Sequence, residues 1–160
     1  MYSAQRAKED IDKIKDKVDV IIVSMHWGVE NYNTPNESQK QIAEYLSSLG
    51  VNIIIGAHPH VVQPIEYIDN TLVIYSLGNF ISNQLVIDVN HGIGLMYGVD
   101  IVVGEDGKVS FENEYKELIL SYSESSTNFK VIPFSKLNDS LLKNYKTIQE
   151  QYMNIVNGGE

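Results

Sequence analysis

Three of the four histidines fall just past runs of strand-forming residues. His26 follows VDVIIVSM, and His58 and His60 follow VNIIIGA within the stretch GAHPH. Neutral imidazole nitrogens are good ligands for divalent transition metals, and side chains sent to one sheet rim by separate strands commonly build such a site. The pattern points to a metal or phosphate site. Pro59, between His58 and His60, fixes its own backbone and restricts the residue before it, so the pair rides on a stiff segment. Gly56 allows a ligand or a neighbouring backbone to come close. Taken singly, a histidine after a strand is more often a hydrogen-bonded structural residue. His91, in DVNHGIG, gains no support from its neighbours and reads as a surface loop residue.

Other residues in the same segments have paired readings. Glu30 and Glu66 could orient an imidazole, or be solvated loop glutamates. Gln39, one turn before Ile42 on the buried face of its helix, could reach the site or mark the helix edge. Trp27 and Tyr32 could form an apolar or stacking wall, although core packing is the commoner fate of a lone Trp. Asn79, after Gly78 in YSLGNF, reads as a turn residue or as a polar group aimed at the rim, and the local sequence favours the turn.

These residues need strands and helices to place them. Ala7, Ile11, Ile14 and Val18 recur at helical spacing and predict an amphipathic helix over residues 4–17. Residues 18–24 read as a continuously apolar strand, central and covered on both faces. Thr34-Pro35-Asn36-Glu37 resembles a capping box opening a helix over 35–49, with Gly50 as a left-handed stop. A second buried strand over 51–55 completes a strand-helix-strand crossover, which makes the two strands parallel and brings their ends to one edge. Beyond GAHPH, residues 61–68 and 71–77 flank Asp69-Asn70 as a hairpin, and Pro64 makes its first arm an edge or an interrupted strand. Residues 93–103 and 108–120 form another hairpin, and an amphipathic helix over 138–156 closes the chain.

Composition narrows the setting. At 160 residues, 43% hydrophobic and 21% charged, the chain suits one domain able to bury a core. Twelve basic against 21 acidic residues give a net charge of -9, with no basic block, so nucleic acid is excluded as a partner. Without cysteine there is no disulfide framework, thiolate metal site or thiol nucleophile. The charged N-terminus lacks an apolar signal core, and no stretch approaches the roughly 18 apolar residues of a membrane span. The reading is therefore a soluble chain with no signal or transmembrane segment.

HWGVE, then GAHPHVVQPIE and then IYSLGNF resemble the C-terminal half of the bacterial CapA family, the capsule or poly-gamma-glutamate synthesis proteins, over about residues 4–103. That domain is similar to the calcineurin-like metallophosphoesterases. The resemblance implies an α/β fold, the C-terminal half of an α/β/β/α metallophosphoesterase-like sandwich with a mixed sheet. It makes residues 1–160 a single partial domain lacking the N-terminal half. It also implies His26, His58 and His60 as metal ligands, with Glu30, Gln39, Glu66, Asn79 and Trp27 behind them or lining a substrate pocket. The family's Gly-Asp, Asn-Leu-Glu and Asn-His segments have no counterpart in residues 1–25. The expectation is a piece of a longer protein whose natural start need not be Met1.

From the resemblance the full-length parent is expected to hold Mn, Zn or Fe, while this chain alone is expected to bind Mn or Zn weakly, or not at all, and to turn over no substrate. A two-metal phosphoesterase needs carboxylates to bridge and balance cations about 3.5–4 Å apart. Expected partners are an anionic capsule polymer or phosphorylated substrate, other capsule-synthesis subunits, and a second copy joined through exposed strands. The parent is expected at the membrane or the extracellular face of a bacterial cell. Alternatives are a non-catalytic binding or scaffold subunit of a polymer synthesis or export complex, and a self-contained three-histidine zinc enzyme.

Overall fold

Helix α1 (Ala4–Ile14) opens the chain, with the Ser3 side chain accepting the Arg6 amide at its start. It is three residues shorter than its expected span, closing at the Lys15 cap, so Val18 does not join the stripe and stands exposed. The computed structural model describes residues 2–82, 89–125 and 127–159. Strand β1 (Ile22–His26) runs parallel to β2 (Ile53–Ala57), joined through helix α2 (Glu37–Ser48). Asn36, rather than Thr34, caps α2: its side chain accepts the Gln39 amide, while the Gln39 side chain accepts the Asn36 amide. Pro35 lies outside the helix, where its fixed φ sets the entry. Gly50, at φ +88°, is the left-handed stop.

The hairpin of β3 (Ile65–Ile68) and β4 (Thr71–Ile74) adds β4 parallel to β2 and leaves β3 at the edge, in the order β1-β2-β4-β3. The sheet is mixed. β1, expected to be central, is instead the other edge, with Ile22 53% exposed. A continuous apolar run reads the same at an edge as at a centre, and only the sheet order separates them. Helices α1 and α2 cover one face of β2 and β4, where Ile11, Ala43, Leu46, Ile54 and Val73 form one core cluster.

The opposite face carries Ile53, Leu72 and Ile74, which pack with a second sheet through Ile93, Leu118 and Leu120. That sheet is an antiparallel meander of β5 (Ile93–Val103), β6 (Val109–Ser125) and β7 (Asn128–Pro133). The sequence reading missed β7. Helix α3 (Tyr145–Val156) sends Tyr152 and Val156 into the same core. It begins seven residues later than expected, since Asn138 caps the Ser140 and Leu141 amides in a separate turn and Asn144 sits at φ +60°. Among the described residues no helix is long and apolar enough to cross a membrane.

Candidate functional site

The parallel register sets His26 opposite Ala57, so the first histidine ends β1 beside the residue preceding His58. The rings of His26 and His58 lie 4.5 Å apart between centroids, and those of His58 and His60 lie 6.2 Å apart. All three therefore share the C-terminal rim of β1 and β2. His26 is exposed, while His58 and His60 are half-buried.

The backbone that presents them is unusual. His58 has φ +101° and His60 has φ +61°. Such angles favour glycine, and at His58 the following proline disfavours them further, so each costs about 1–3 kcal/mol. Neighbouring loops hold the segment. Trp27 donates its amide to the Ala57 carbonyl at 3.1 Å, Asn31 donates its amide to the Pro59 carbonyl at 2.8 Å, and the Gln63 amide donates to the Ser76 carbonyl at 3.0 Å. Asn33 Nδ2 donates to the Val62 carbonyl at 2.8 Å. Strain of this size persists only where the surrounding contacts over-determine the backbone.

Asn79 fixes the state of His60. Its amide Nδ2 donates to the His91 main-chain carbonyl at 2.9 Å, which can only accept, so Oδ1 is the atom facing His60. His60 Nδ1 lies 2.9 Å from that oxygen and must carry the proton. The Nε2 lone pair is then left for a cation, the arrangement by which a carbonyl behind an imidazole sets its tautomer and ring orientation. The donor chemistry at His60 thus suits a divalent cation. As they stand, no three His, Cys, Asp or Glu side chains among the described residues are grouped to hold a metal ion.

The remaining candidate residues fall into different places. Trp27 is buried, stacks on Tyr75 with ring centroids 5.7 Å apart, and donates Nε1 to the Tyr75 carbonyl at 2.9 Å. Gln39 is buried beneath the loop, donating Nε2 to Gln63 Oε1 at 2.8 Å, while Gln63 Nε2 donates to the Tyr32 carbonyl at 2.8 Å. These two amides pin the loop after β1 to the segment after β2. Glu66 lies two strands from β2 and accepts the Tyr75 hydroxyl at 2.7 Å. Burial, followed by the adjacent Glu66 carboxylate, pushes the Tyr75 phenol above its ordinary range. Glu30 is exposed in the turn before Asn31, and Tyr32 is 64% exposed.

His91 was expected on the surface, away from these residues. Instead it sits half-buried in a short 3-10 turn, Val89–Gly92, with its Nε2 against Asn31 Oδ1 and its carbonyl on Asn79. Asn31 and Gln63 were not singled out from the sequence either. Their partners, Gln39 and Tyr32 for the Gln63 side chain and Pro59 and His91 for Asn31, lie 24 or more residues away, and no local pattern signals that. A cleft of about 750 Å³ lies at the other end of the strands, between Asp19, Asn52, Asp69 and Lys108, away from the imidazoles.

Residues 2–84 match the model of the family described as bacterial capsule synthesis protein PGA_cap. That is just over half of the chain, and the chain belongs to this family. Over 74 residues it is 46% identical to the PGA biosynthesis protein CapA of Bacillus subtilis (strain 168), covering 46% of this chain and 20% of that protein. Over 73 residues it is 38% identical to the capsule biosynthesis protein CapA of Bacillus anthracis, covering 46% of this chain and 18% of that one. The matched stretch spans about a fifth of the length of these relatives.

The location of the match corrects the sequence reading. The resemblance was assigned to the C-terminal half of a metallophosphoesterase-like fold and extended to about residue 103, whereas the match occupies the N-terminal part of this chain and stops at residue 84. The expected fold, the C-terminal half of an α/β/β/α sandwich, is corrected with it. What stands is a mixed α/β architecture whose family-matched part carries β1 to β4. The physical reason lies in β5, whose apolar residues fit any strand of a two-sheet core and carry no distinctive motif.

Proposed function

We propose that the imidazole rim is the working site of a capsule-synthesis protein, holding a divalent cation (Mn, Zn or Fe) for action on a phosphorylated substrate. His26, His58 and His60 would hold the cation. When bound, it would polarise a phosphoryl oxygen and lower the pKa of a bound water. The strained His58-Pro59-His60 segment carries this reading, because a backbone cost of this size is retained where the surrounding fold has a use for it. The His60 tautomer supports it from the chemical side. Charge adds a further argument: a chain of net charge -9 repels an anionic capsule polymer, and a cation at the rim gives a local attraction. Other capsule-synthesis subunits, and a second copy pairing through the exposed edge of β1, are the proposed protein partners.

Titration calorimetry with Mn(II), Zn(II) and Fe(II) tests the reading alongside hydrolysis of a chromogenic phosphodiester. Saturable binding that is lost in His26→Ala, His58→Ala and His60→Ala is the expected result. Absence of binding by all three ions would overturn it. The second reading is a non-catalytic binding or scaffold subunit, favoured by the lack of a preformed three-ligand group among the described residues. Its signature is retention of poly-gamma-glutamate on the protein without turnover.

A further inference from the structure

We propose that His91, which lies beyond the family-matched residues, is a positioning residue of the imidazole rim, holding the His58-Pro59-His60 segment from two sides. The inference rests on the metal-site reading above for its purpose, but its geometry is independent of any ion. On one side, the His91 carbonyl accepts Asn79 Nδ2 at 2.9 Å, and Asn79 Oδ1 accepts the His60 Nδ1 proton at 2.9 Å. On the other, the His91 ring meets Asn31 Oδ1, and the Asn31 amide donates to the Pro59 carbonyl at 2.8 Å. One residue at the entry to β5 thus reaches the strained turn at two points, Pro59 and His60. Asn31 itself has φ +70°, so its loop also depends on outside contacts to keep its shape.

The two histidines must hold opposite tautomers. Asn31 Oδ1 only accepts, so His91 Nε2 carries the proton, and in the neutral ring His91 Nδ1 is bare. That Nδ1 is buried and has no hydrogen-bond partner. His60, set by Asn79, is protonated at Nδ1 and bare at Nε2. Burying a bare imidazole nitrogen is unfavourable. Its presence indicates that the ring is placed for the Asn31 contact rather than for its own solvation. Removing the His91 ring frees Asn31, loosens the turn that carries the His91 carbonyl, and with it relaxes Asn79 behind His60.

The experiment is long-range proton–nitrogen correlation NMR of the histidine rings in the metal-free chain, combined with Zn(II) titration of wild type, His91→Ala, His91→Gln, Asn31→Ala and the His91→Ala/Asn31→Ala double variant. Wild type should show His60 protonated at Nδ1 and His91 at Nε2. His91→Ala should leave a mixture of tautomers at His60 and weaken Zn(II) about tenfold, in the range seen when groups behind a ligand are removed. His91→Gln, whose amide can still donate to Asn31, should restore both. The double variant should be no worse than either single one, since the two side chains act through one contact. Wild-type His60 nitrogen shifts in a folded His91→Ala would overturn the proposal. If the shifts move as expected while no protein binds Zn(II), the positioning role stands and the metal-site reading fails.

Discussion

Trp27 and Tyr75 meet over a residue that has no side chain. The Trp27 indole donates to the Tyr75 carbonyl at 2.9 Å while the two rings stack, and both contacts pass over Gly56 in the last turn of the pleat of β2. A methyl group on Gly56 would lie 2.0 Å from the Tyr75 oxygen and 2.3 Å from Trp27 Nε1, distances that backbone and a buried indole cannot yield cheaply. Gly56→Ala should therefore lose about 3 kcal/mol in urea unfolding. A loss below about 1 kcal/mol would show that β2 can move away from β4.

The Gln39–Gln63 pair carries a separate expectation. Gln39→Ala removes the donor to Gln63 Oε1 and the acceptor for the Asn36 amide at one stroke. Both orphaned groups belong to buried or part-buried surroundings, so a loss of about 2 kcal/mol in thermal or chemical unfolding is expected. Gln63→Ala added to it should cost less than it does alone, because the shared contact is already gone and the Tyr32 hydrogen bond is what is left to lose.

Strain at His58 makes the opposite prediction. His58→Gly relieves the φ +101° conformation and should raise stability by up to about 1 kcal/mol, despite the extra freedom glycine gives the unfolded chain. The same variant should lose Zn(II) binding in calorimetry. Stability gained together with binding lost is the mark of strain kept for function.

Alkaline pH should unfold the protein through its tyrosines. Burial and Glu66 hold the Tyr75 phenol above its ordinary value, and burial with the Glu114 carboxylate pushes Tyr67 up to about 12. The unfolded chain releases these protons near pH 10, where the folded chain keeps them, so stability is full below that pH and falls as pH rises beyond it. The buried Tyr75 removes at most about 1.4 kcal/mol per pH unit, and Tyr67, 45% exposed and screened by solvent, removes less. Melting temperatures between pH 9 and 12, with tyrosinate absorbance read in parallel, should show Tyr75→Phe declining less steeply than wild type.

Self-association should follow the exposed edge of β1. Ile22 stands 53% exposed on an edge strand, next to Val18 at 46%. Light scattering over a dilution series should show concentration-dependent dimers that Ile22→Lys abolishes, as a charge on an edge discourages strand addition. A monomer at high micromolar concentration in both proteins would remove β1 as the contact.

The sequence marked the strand-helix-strand unit and the histidines well, because both have local signatures. Gly50 stopped α2 where expected, and the runs before His26 and His58 are strands that end at one rim. Features decided by distant partners were illegible. The edge position of β1 depends on which strands join β2, not on its own residues. NFKVIP gives β7 one short run after a polar stretch, and it becomes a strand by pairing with Ile119 through Ser125 of β6. His91 has neighbours that say nothing about Asn31, 60 residues away, and the local sequence of Asn79 favours a turn over the rim role also open to it, because its hydrogen bonds to His60 and the His91 carbonyl reach outside its own segment.

Gly78 and Gly94 cross backbone to backbone, with a side chain on either colliding with the carbonyl of Ile93 or Asn79. This crossing joins the exit of β4 to the entry of β5, and so closes a loop in the chain between residues 78 and 94. The loop-closure entropy must be met before Asn79 can stand between His60 and the His91 carbonyl. That closure spans fewer residues than the pairing of Ile22 with Ile53 in the crossover, so its entropy cost is the smaller of the two, and the fixed tautomer of His60 rests on two glycines that let the backbones meet.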